Sequence, residues 1–324
     1  MDTLPRMGAQ ATGQVMEFLT WATLMAQSAG ALHVFLPVLD RGLDAVIHRR
    51  TDGEYIPVQV KCRTEAVRGF VEIGIPAHAM VDDRALIIAG LLNSEVSGPE
   101  LGPMVLVVDQ AMFKSVGARS LVHGEEVYTA SFPMKSSTSH WRPYLVQLED
   151  LAARLMGPSQ PTAFEELGRE EIDDYASWLG SVGEQKVIEV VGQTSELSLF
   201  RPFPDLETVE VLVRNSASGR FLGLQVKTAV PDAQRHGEAH LPIRKASFVP
   251  APSTYLVGLA WLSEQKQCAD ECLLVPSERV IDVAADGGEH WVLNFRPHSQ
   301  ERTHMDPYRL PLSLLGSAIE DLTS

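Results

Sequence analysis

Apolar positions along the chain predict two halves with the same order of elements. In the first half, helical spacing predicts a helix over residues 13–29, with Glu17 beside an apolar stripe. The stripe residues are Val15, Phe18, Leu19, Ala22 and Met25. Alternating or wholly apolar runs then predict strands at about 32–36, 44–49, 55–63, 85–89 and 104–108, and a helix over 144–155 closes this half.

The second half repeats this order. Helical spacing covers residues 175–191, and strand-like runs follow at about 196–201, 209–214, 221–228, 255–259 and 272–276. A helix, a central hairpin and further strands are typical of an α/β domain with a mixed sheet. We therefore expect each half to be a mixed sheet flanked by helices.

A repeated tripeptide strengthens the comparison between the halves. Gln-Val-Lys occurs at residues 59–61 and again at 225–227, 166 positions later. The same interval separates Asp44 from Glu210 and Gly53 from Gly219. A slightly different interval, 168 positions, pairs Gly90 with Gly258 and the apolar run 104–107 with 272–275. Several features at nearly one offset predict an internal duplication.

Length and composition agree with two domains. A chain of 324 residues is at the size where a single core divides, and the Gly-Pro-Ser-Gln-Pro run at 157–161 has linker composition. The predicted domains are residues 1–157 and 158–324. The sequence shows no apolar signal core or spanning stretch, which predicts a cytoplasmic protein. Its three cysteines cannot form a disulfide framework, and the spacing of Cys268 and Cys272 is not that of a zinc pair.

The candidate chemistry follows from strand alternation. Gln59 and Lys61 lie on one face of a predicted strand, because successive residues point in opposite directions. A turn at 51–53 would bring Asp44 close to Gln59. Carboxylate, amide and carbonyl oxygens are the ligands that Mg²⁺ prefers, so an acid, Gln59, the Val60 carbonyl and a helix carboxylate could share this cation. Lys61 could then orient a water or neutralise charge on a phosphoryl group.

These residues resemble the PD-(D/E)XK nuclease superfamily, in the subset whose last acid is glutamine, as in some type IV restriction enzymes and resolvase-like endonucleases. The resemblance implies two tandem restriction-endonuclease-like domains and an endonuclease that uses Mg²⁺ or Mn²⁺ to hydrolyse phosphodiester bonds in nucleic acid, with DNA favoured. It implies that Glu17, Asp44 and Gln59 bind the metal and that Lys61 acts with them in catalysis. Asp40 is an alternative to Asp44.

The resemblance extends to the second half with substitutions. Gln225 and Lys227 match the motif, whereas Glu210 replaces the aspartate. The helix acid is Glu184 or Glu189, depending on the register. Glu184, Glu210 and Gln225 are the candidate metal ligands here, with Lys227 as the catalytic lysine. Because many duplicated copies lose activity, we expect the first half to carry the catalysis and treat a degenerate second site as an alternative.

Charge narrows the kinds of partner. The chain has a net charge of −15, of which residues 1–157 contribute −4 and the remainder −11. Such an acidic protein favours a confined basic surface over a broad DNA-binding patch. Candidates for that surface near the first motif are Arg41, Arg49, Arg50, Arg63 and Arg68. The alternatives are a noncatalytic module that binds nucleic acid or a protein partner in a defence or repair system, and a purely structural duplication. Oligomeric state is left open.

Overall fold

The computed structural model describes residues 9–39, 42–95, 98–134, 139–157, 174–203, 209–299 and 301–324. The chain divides into two compact units, Met1–Glu165 and Glu166–Ser324. Most of the linker-like run at 157–161 lies outside the described residues. The units are α/β in character, with mixed sheets and helices, and no described helix combines the length and apolar character needed to span a bilayer.

The first unit contains three helices and nine strands among its described residues. Its helices are α1 (Ala9–Gln27), α2 (Gln110–Val116) and α3 (Leu151–Met156). Its strands are β1 (Leu32–Pro37), β2 (Ala45–Arg49), β3 (Glu54–Arg63), β4 (Phe70–Pro76), β5 (Leu86–Glu95), β6 (Gly98–Asp109), β7 (Ala118–Val122), β8 (Glu125–Pro133) and β9 (Leu145–Gln147).

Two sheets make up the first unit. The main sheet has the order β1-β2-β3-β5-β6-β9, and only its β3–β5 pair is parallel. A small antiparallel sheet, β4-β8-β7, packs its apolar side against β5 and β6, where Ile73, Ile87 and Phe132 share a buried cluster. Helix α1 contacts the main sheet at β1, β3 and β6.

The second unit has the same element order. Its helices are α4 (Asp174–Val191), α5 (Ser277–Val283) and α6 (Leu315–Thr323). Its strands are β10 (Leu197–Phe203), β11 (Val211–Asn215), β12 (Phe221–Ala229), β13 (Ala239–Arg244), β14 (Thr254–Leu262), β15 (Gln267–Pro276), β16 (Ala285–Asp286), β17 (His290–Phe295) and β18 (Arg309–Pro311).

Strand pairing in the second unit also follows the first. The main sheet runs β10-β11-β12-β14-β15-β18 with a parallel β12–β14 pair, and the small sheet runs β13-β17-β16. The β2–β3 and β11–β12 hairpins turn at Gly53 and Gly219, with φ values of 75° and 71°. Each glycine donates its N–H to the carbonyl four residues earlier, at 2.8 Å. Glycine tolerates this left-handed conformation, which explains the residue at both turns.

The strands that pair with β3 and β12, namely β5 and β14, do not correspond at the interval of 168 positions taken from the sequence. Gln59 on β3 pairs with Ile87, and Gln225 on β12 pairs with Leu256, 169 positions later. A Cβ at Gly90 would lie 3.3 Å from Met16 on α1, whereas one at Gly258 would lie 2.6 Å from Leu241 on β13. The glycines matched at 168 positions therefore face opposite sides of their sheets, and Leu259 corresponds to Gly90.

The predicted apolar stripe of α1 is wrong, although the helix itself forms. Phe18 is 49% exposed, and the buried face instead carries Met16, Thr20, Trp21 and Leu24. Apolar residues occur almost all around this helix, so the spacing alone allows two faces. The large Trp21 side chain, which is fully buried, belongs to the face that packs.

The prediction of one helix over 144–155 is also wrong. This stretch forms strand β9, a 3₁₀ turn over Leu148–Asp150 and then the short α3. Its leucines recur at helical spacing, but Leu145 and Val146 pair with β6 and complete the sheet edge. The small sheets went unpredicted, although β4 and β13 do alternate between buried and less buried residues. Strand β7 gives no such signal, because all five of its residues are exposed.

Candidate functional site

Asp44 is fixed at the entrance to β2 by the neighbouring strand. Its backbone N–H donates to the Val58 carbonyl at 3.0 Å, and its Oδ2 accepts the Val60 N–H at 2.6 Å. Lys61 Nζ lies 3.8 Å from the same Oδ2, beyond hydrogen-bond reach but close enough for charge attraction. The Asp44 and Lys61 side chains therefore lie next to each other.

The second unit repeats this arrangement 166 residues later. Glu210 donates its N–H to the Leu224 carbonyl at 3.0 Å and accepts the Val226 N–H at Oε2, at 2.9 Å. Its other oxygen accepts a hydrogen bond from Lys227 Nζ at 3.1 Å. We call Asp44 with Lys61, and Glu210 with Lys227, the acid–lysine pairs.

Gln59 lies deeper than the first acid–lysine pair and is engaged by the protein. Its residue surface is 2% exposed. Its amide nitrogen donates to the carbonyls of Gly42 and Ala79, both at 3.3 Å, and its oxygen accepts from Gln110 Nε2 at 3.4 Å. These contacts hold the amide within the fold. Gln225 is likewise buried, at 7% exposure.

Glu17 lies near the side of β3 that faces helix α1. The Cys62 thiol lies 3.8 Å from the Thr12 carbonyl of α1, so Cys62 faces the helix. Strand alternation turns Gln59 and Lys61 to the other side. Burial raises the pKa of the Cys62 thiol, Arg63 and Lys61 oppose the rise, and Glu17 adds to it. Glu17 is thus within electrostatic range of Cys62.

The helix acid of the second unit is better defined. Glu184 accepts a hydrogen bond from Arg201 Nη2 at 2.5 Å, whereas Glu189 forms a surface pair with Lys186 at 3.0 Å. Burial raises the pKa of the Glu210 carboxyl, Lys227 and the Val226 hydrogen bond oppose the rise, and the charge of Glu184 adds to it. Glu184 and Glu210 are therefore within electrostatic range of each other.

Helix packing supports the same register for the two helix acids. Met16 lies next to the position of Gly90, and a Cβ added at Gly183 would collide with Thr228 Oγ1 and lie 3.5 Å from Leu259. Because Leu259 corresponds to Gly90 in the sheet, Met16 and Gly183 occupy similar places. The next residues, Glu17 and Glu184, then correspond.

Ligand supply for a cation is limited. Within the described ranges, no group of three or more His, Cys, Asp or Glu side chains is positioned to hold a metal ion. Asp40 and Arg41 lie outside those ranges. Burial raises the pKa of the Cys272 thiol to about 12, so it remains protonated at neutral pH and is a poor zinc ligand.

Two of the arginines predicted to form a basic surface, Arg49 and Arg63, form contacts within the protein. Arg49 forms ion pairs with Asp52 and Glu54 and donates to the Leu155 carbonyl at 2.7 Å. Arg63 donates to the Glu72 carbonyl at 2.8 Å. Arg49 and Arg63 therefore stabilise the hairpin and its surroundings through these groups.

Sequence reasoning missed two residues that contact the candidate site. Gln110 is the first residue of helix α2. The preceding residue, Asp109, caps the helix by accepting the Met112 N–H at 2.7 Å, which is a recognisable start signal. Nothing in the sequence, however, connects position 110 with Gln59. Arg201 has no basic counterpart in the first half, since Leu36 corresponds to it in the β1–β2 and β10–β11 pairings.

Comparisons with known proteins give little further information. No protein-family model matches the sequence, and no curated protein is significantly similar to it. A solved structure of a bacterial homing endonuclease is similar over 46% of this chain and 97% of its own, with 16% sequence identity and a TM-score of 0.33. A TM-score this low does not establish a shared fold.

Proposed function

We propose that the protein is a divalent-metal-dependent endonuclease that hydrolyses phosphodiester bonds in DNA. The observation that carries this proposal is the acid–lysine pair, which recurs with the same backbone anchor in two units. A lysine held beside a carboxylate at a strand end provides a fixed positive charge. Charge of that kind stabilises the extra negative charge of a phosphoryl transition state.

The donor set of the second unit fits a hard cation. Glu184 and Glu210 are two carboxylates within electrostatic range. Burial is the main cause of the raised pKa of Glu210 and the charge of Glu184 adds to it, and a shared cation would relieve that added repulsion. Gln225 is the third proposed ligand. In the first unit the Gln59 amide is held by Gly42, Ala79 and Gln110, so Asp44 is the proposed ligand there. Glu17 is proposed with it only through its correspondence to Glu184 on the helix.

A bound Mg²⁺ or Mn²⁺ would lower the pKa of a coordinated water and offset phosphate charge. The chain supplies the other requirements. Val60 and Val226 fix the acids through their N–H groups, and Lys61 and Lys227 hold positive charge beside them. The lysines orient a phosphate oxygen and stabilise developing charge. The closer contact between Lys227 and Glu210, together with the charge of Glu184 near Glu210, favours the second unit as the principal site. The sequence had favoured the first unit.

Plasmid cleavage tests the proposal directly. Purified protein should nick or cut supercoiled DNA with Mg²⁺ or Mn²⁺ and lose this activity in EDTA. Lys227→Ala should abolish most cleavage. Lys186→Ala is the matched control, because it removes a lysine that pairs with an acid on the surface of the same unit. Retention of full activity by Lys227→Ala and Lys61→Ala together would exclude both proposed sites.

A second candidate function is a noncatalytic module that binds DNA or a protein partner. The burial and internal bonding of Gln59 favours it, since an amide held by three protein groups is poorly placed to bind a metal in the first unit. DNA retention with no cleavage in Mg²⁺ or Mn²⁺, measured by fluorescence anisotropy on labelled duplex, would support this alternative.

A further inference from the structure

A four-charge cluster surrounds the helix acid of the second unit. Glu210 pairs with Lys227 at 3.1 Å, and Glu184 pairs with Arg201 at 2.5 Å. The charge of Glu184 also acts on Glu210. Two carboxylates and two cationic side chains make the cluster neutral as it stands. A divalent cation entering this cluster must compete with Lys227 and Arg201 for the carboxylates.

Exposure distinguishes the two cationic residues. The Lys227 and Glu210 side chains are 27% and 12% exposed, whereas the Arg201 and Glu184 side chains are 45% and 20% exposed. The more exposed ion pair is the weaker one, because water screens it and holding a long side chain costs conformational entropy. Arg201 is therefore the more easily displaced of the two.

A displaced arginine needs a new anion. The guanidinium presents donors in a planar fork that matches the oxygens of a phosphodiester, and such contacts form readily at an exposed position. Arg201 can thus exchange the Glu184 carboxylate for a phosphate of the nucleic-acid backbone. Glu184 is then available to a cation.

We infer that Arg201 is a positioning residue that couples metal binding to DNA binding in the second unit. In the absence of DNA, Arg201 forms an ion pair with Glu184. When Arg201 binds a DNA phosphate instead, the Glu184 carboxylate becomes available to the cation. This inference rests on the proposed function. The first unit lacks the device, because Leu36 occupies the position that corresponds to Arg201.

Mn²⁺ binding tests the inference without any measurement of cleavage. Titrations would follow the Mn²⁺ signal in electron paramagnetic resonance, with and without a phosphorothioate duplex that resists cleavage. The protein would carry Asp44→Asn to remove the proposed site of the first unit. The decisive quantity is the ratio of the Mn²⁺ affinities measured with and without duplex.

Arg201→Gln should bind Mn²⁺ about two- to fivefold more tightly than its parent without duplex, as expected for loss of a partly exposed ion pair. Its affinity ratio should fall by a similar factor, because the duplex no longer has an arginine to withdraw from Glu184 and the coupling free energy is lost. Arg279→Gln is the control, since Arg279 pairs with Asp282 on the surface of α5 and its loss removes the same charge. The control ratio should equal that of the parent.

Two outcomes would overturn the inference and identify the step that failed. If the parent binds Mn²⁺ and Arg201→Gln leaves the ratio unchanged, Arg201 does not couple the ligands, although the metal site stands. A rise in Mn²⁺ affinity by the same factor with and without duplex also leaves the ratio unchanged. Loss of a nearby positive charge explains such a rise, so it too would show that Arg201 does not couple the two ligands. If the parent binds no Mn²⁺ even with duplex, the metal site and the inference both fail.

Discussion

The two units hold one backbone arrangement with acids of different length. Asp44 and Glu210 both accept an N–H from β3 or β12, at 2.6 and 2.9 Å. Lys61 remains 3.8 Å from the aspartate, whereas Lys227 reaches the glutamate at 3.1 Å. The additional methylene allows one oxygen to keep the backbone anchor while the other engages lysine. Side-chain length therefore decides whether the pair is loosely or closely formed.

The largest expected effect separates the two lysines by activity. Lys227→Ala should reduce metal-dependent plasmid cleavage by about a hundredfold or more, because it removes a charge beside the reacting phosphate. Lys61→Ala should have a smaller effect, since the two carboxylates that lie within electrostatic range of each other, Glu184 and Glu210, are in the unit of Lys227. Initial rates at saturating Mg²⁺, with circular dichroism to check folding, measure the difference.

The reverse order of the two lysine effects would be equally informative. A hundredfold loss in Lys61→Ala with little change in Lys227→Ala would assign catalysis to the first unit, as the sequence suggested. Lys114→Ala serves as the control there. Lys114 has the same side-chain exposure as Lys61, 32%, and pairs with Asp83 on the surface.

The next effect concerns helix packing near the proposed site. Gly183→Ala should destabilise the second unit by about 1–3 kcal/mol, because its Cβ meets the β-branched Thr228 side chain. Gly180→Ala in the same helix has open space and should be neutral or stabilising by up to ~1 kcal/mol. Urea unfolding measures both. Equal destabilisation of the two variants would contradict the close contact between α4 and β12.

The smallest effect is a pH dependence that two histidines give to the stability of the first unit. Burial, with help from Arg50, lowers the pKa of His33 to about 3 and that of His48 to about 4. Both values lie below the ordinary histidine value, so the unfolded chain binds more protons as pH falls below about 6.5. The contribution of the two histidines to stability is complete above that pH and is lost as pH falls towards the folded-state pKa values of about 3 and 4.

Urea midpoints between pH 7 and 5.5 test this dependence before most carboxylates titrate. The expected loss is about 1 kcal/mol for each histidine by pH 5.5. His48→Gln should flatten the curve. In the second unit Arg214 and Phe221 occupy the places of His48 and its stacking partner Tyr55. A curve that keeps its slope in His48→Gln would show that other groups cause the loss.

The sequence predicted most of the main sheets because their strands are buried and bounded by turn residues. The repeated glycines at 53 and 219 also located both hairpins. It could not choose the buried face of α1, where the neighbouring sheet selects Trp21 over Phe18. It also could not distinguish helical spacing at 144–155 from a short edge strand. These choices depend on contacts between residues far apart in the chain.

Part of the candidate site could likewise be predicted. Strand alternation and a hairpin are enough to bring Asp44 towards Lys61, because both are local properties. The fate of the Gln59 amide depended on Gly42, Ala79 and Gln110, and no short-range pattern connects them. Arg201 was missed for the same reason. Its partner Glu184 lies on a different element, and the pairing has no counterpart in the first unit.

The register of the Gly90 and Gly258 strands matters for anyone who exchanges segments between the units. A chimera built on the matching glycines would turn every side chain of the transplanted strand to the opposite face. The face of the strand that packs against Leu241 of the small sheet in the second unit would then point towards helix α1. A graft that aligns Gly90 with Leu259 preserves the faces, and the residue to resize is Met16, which lies beside Gly90.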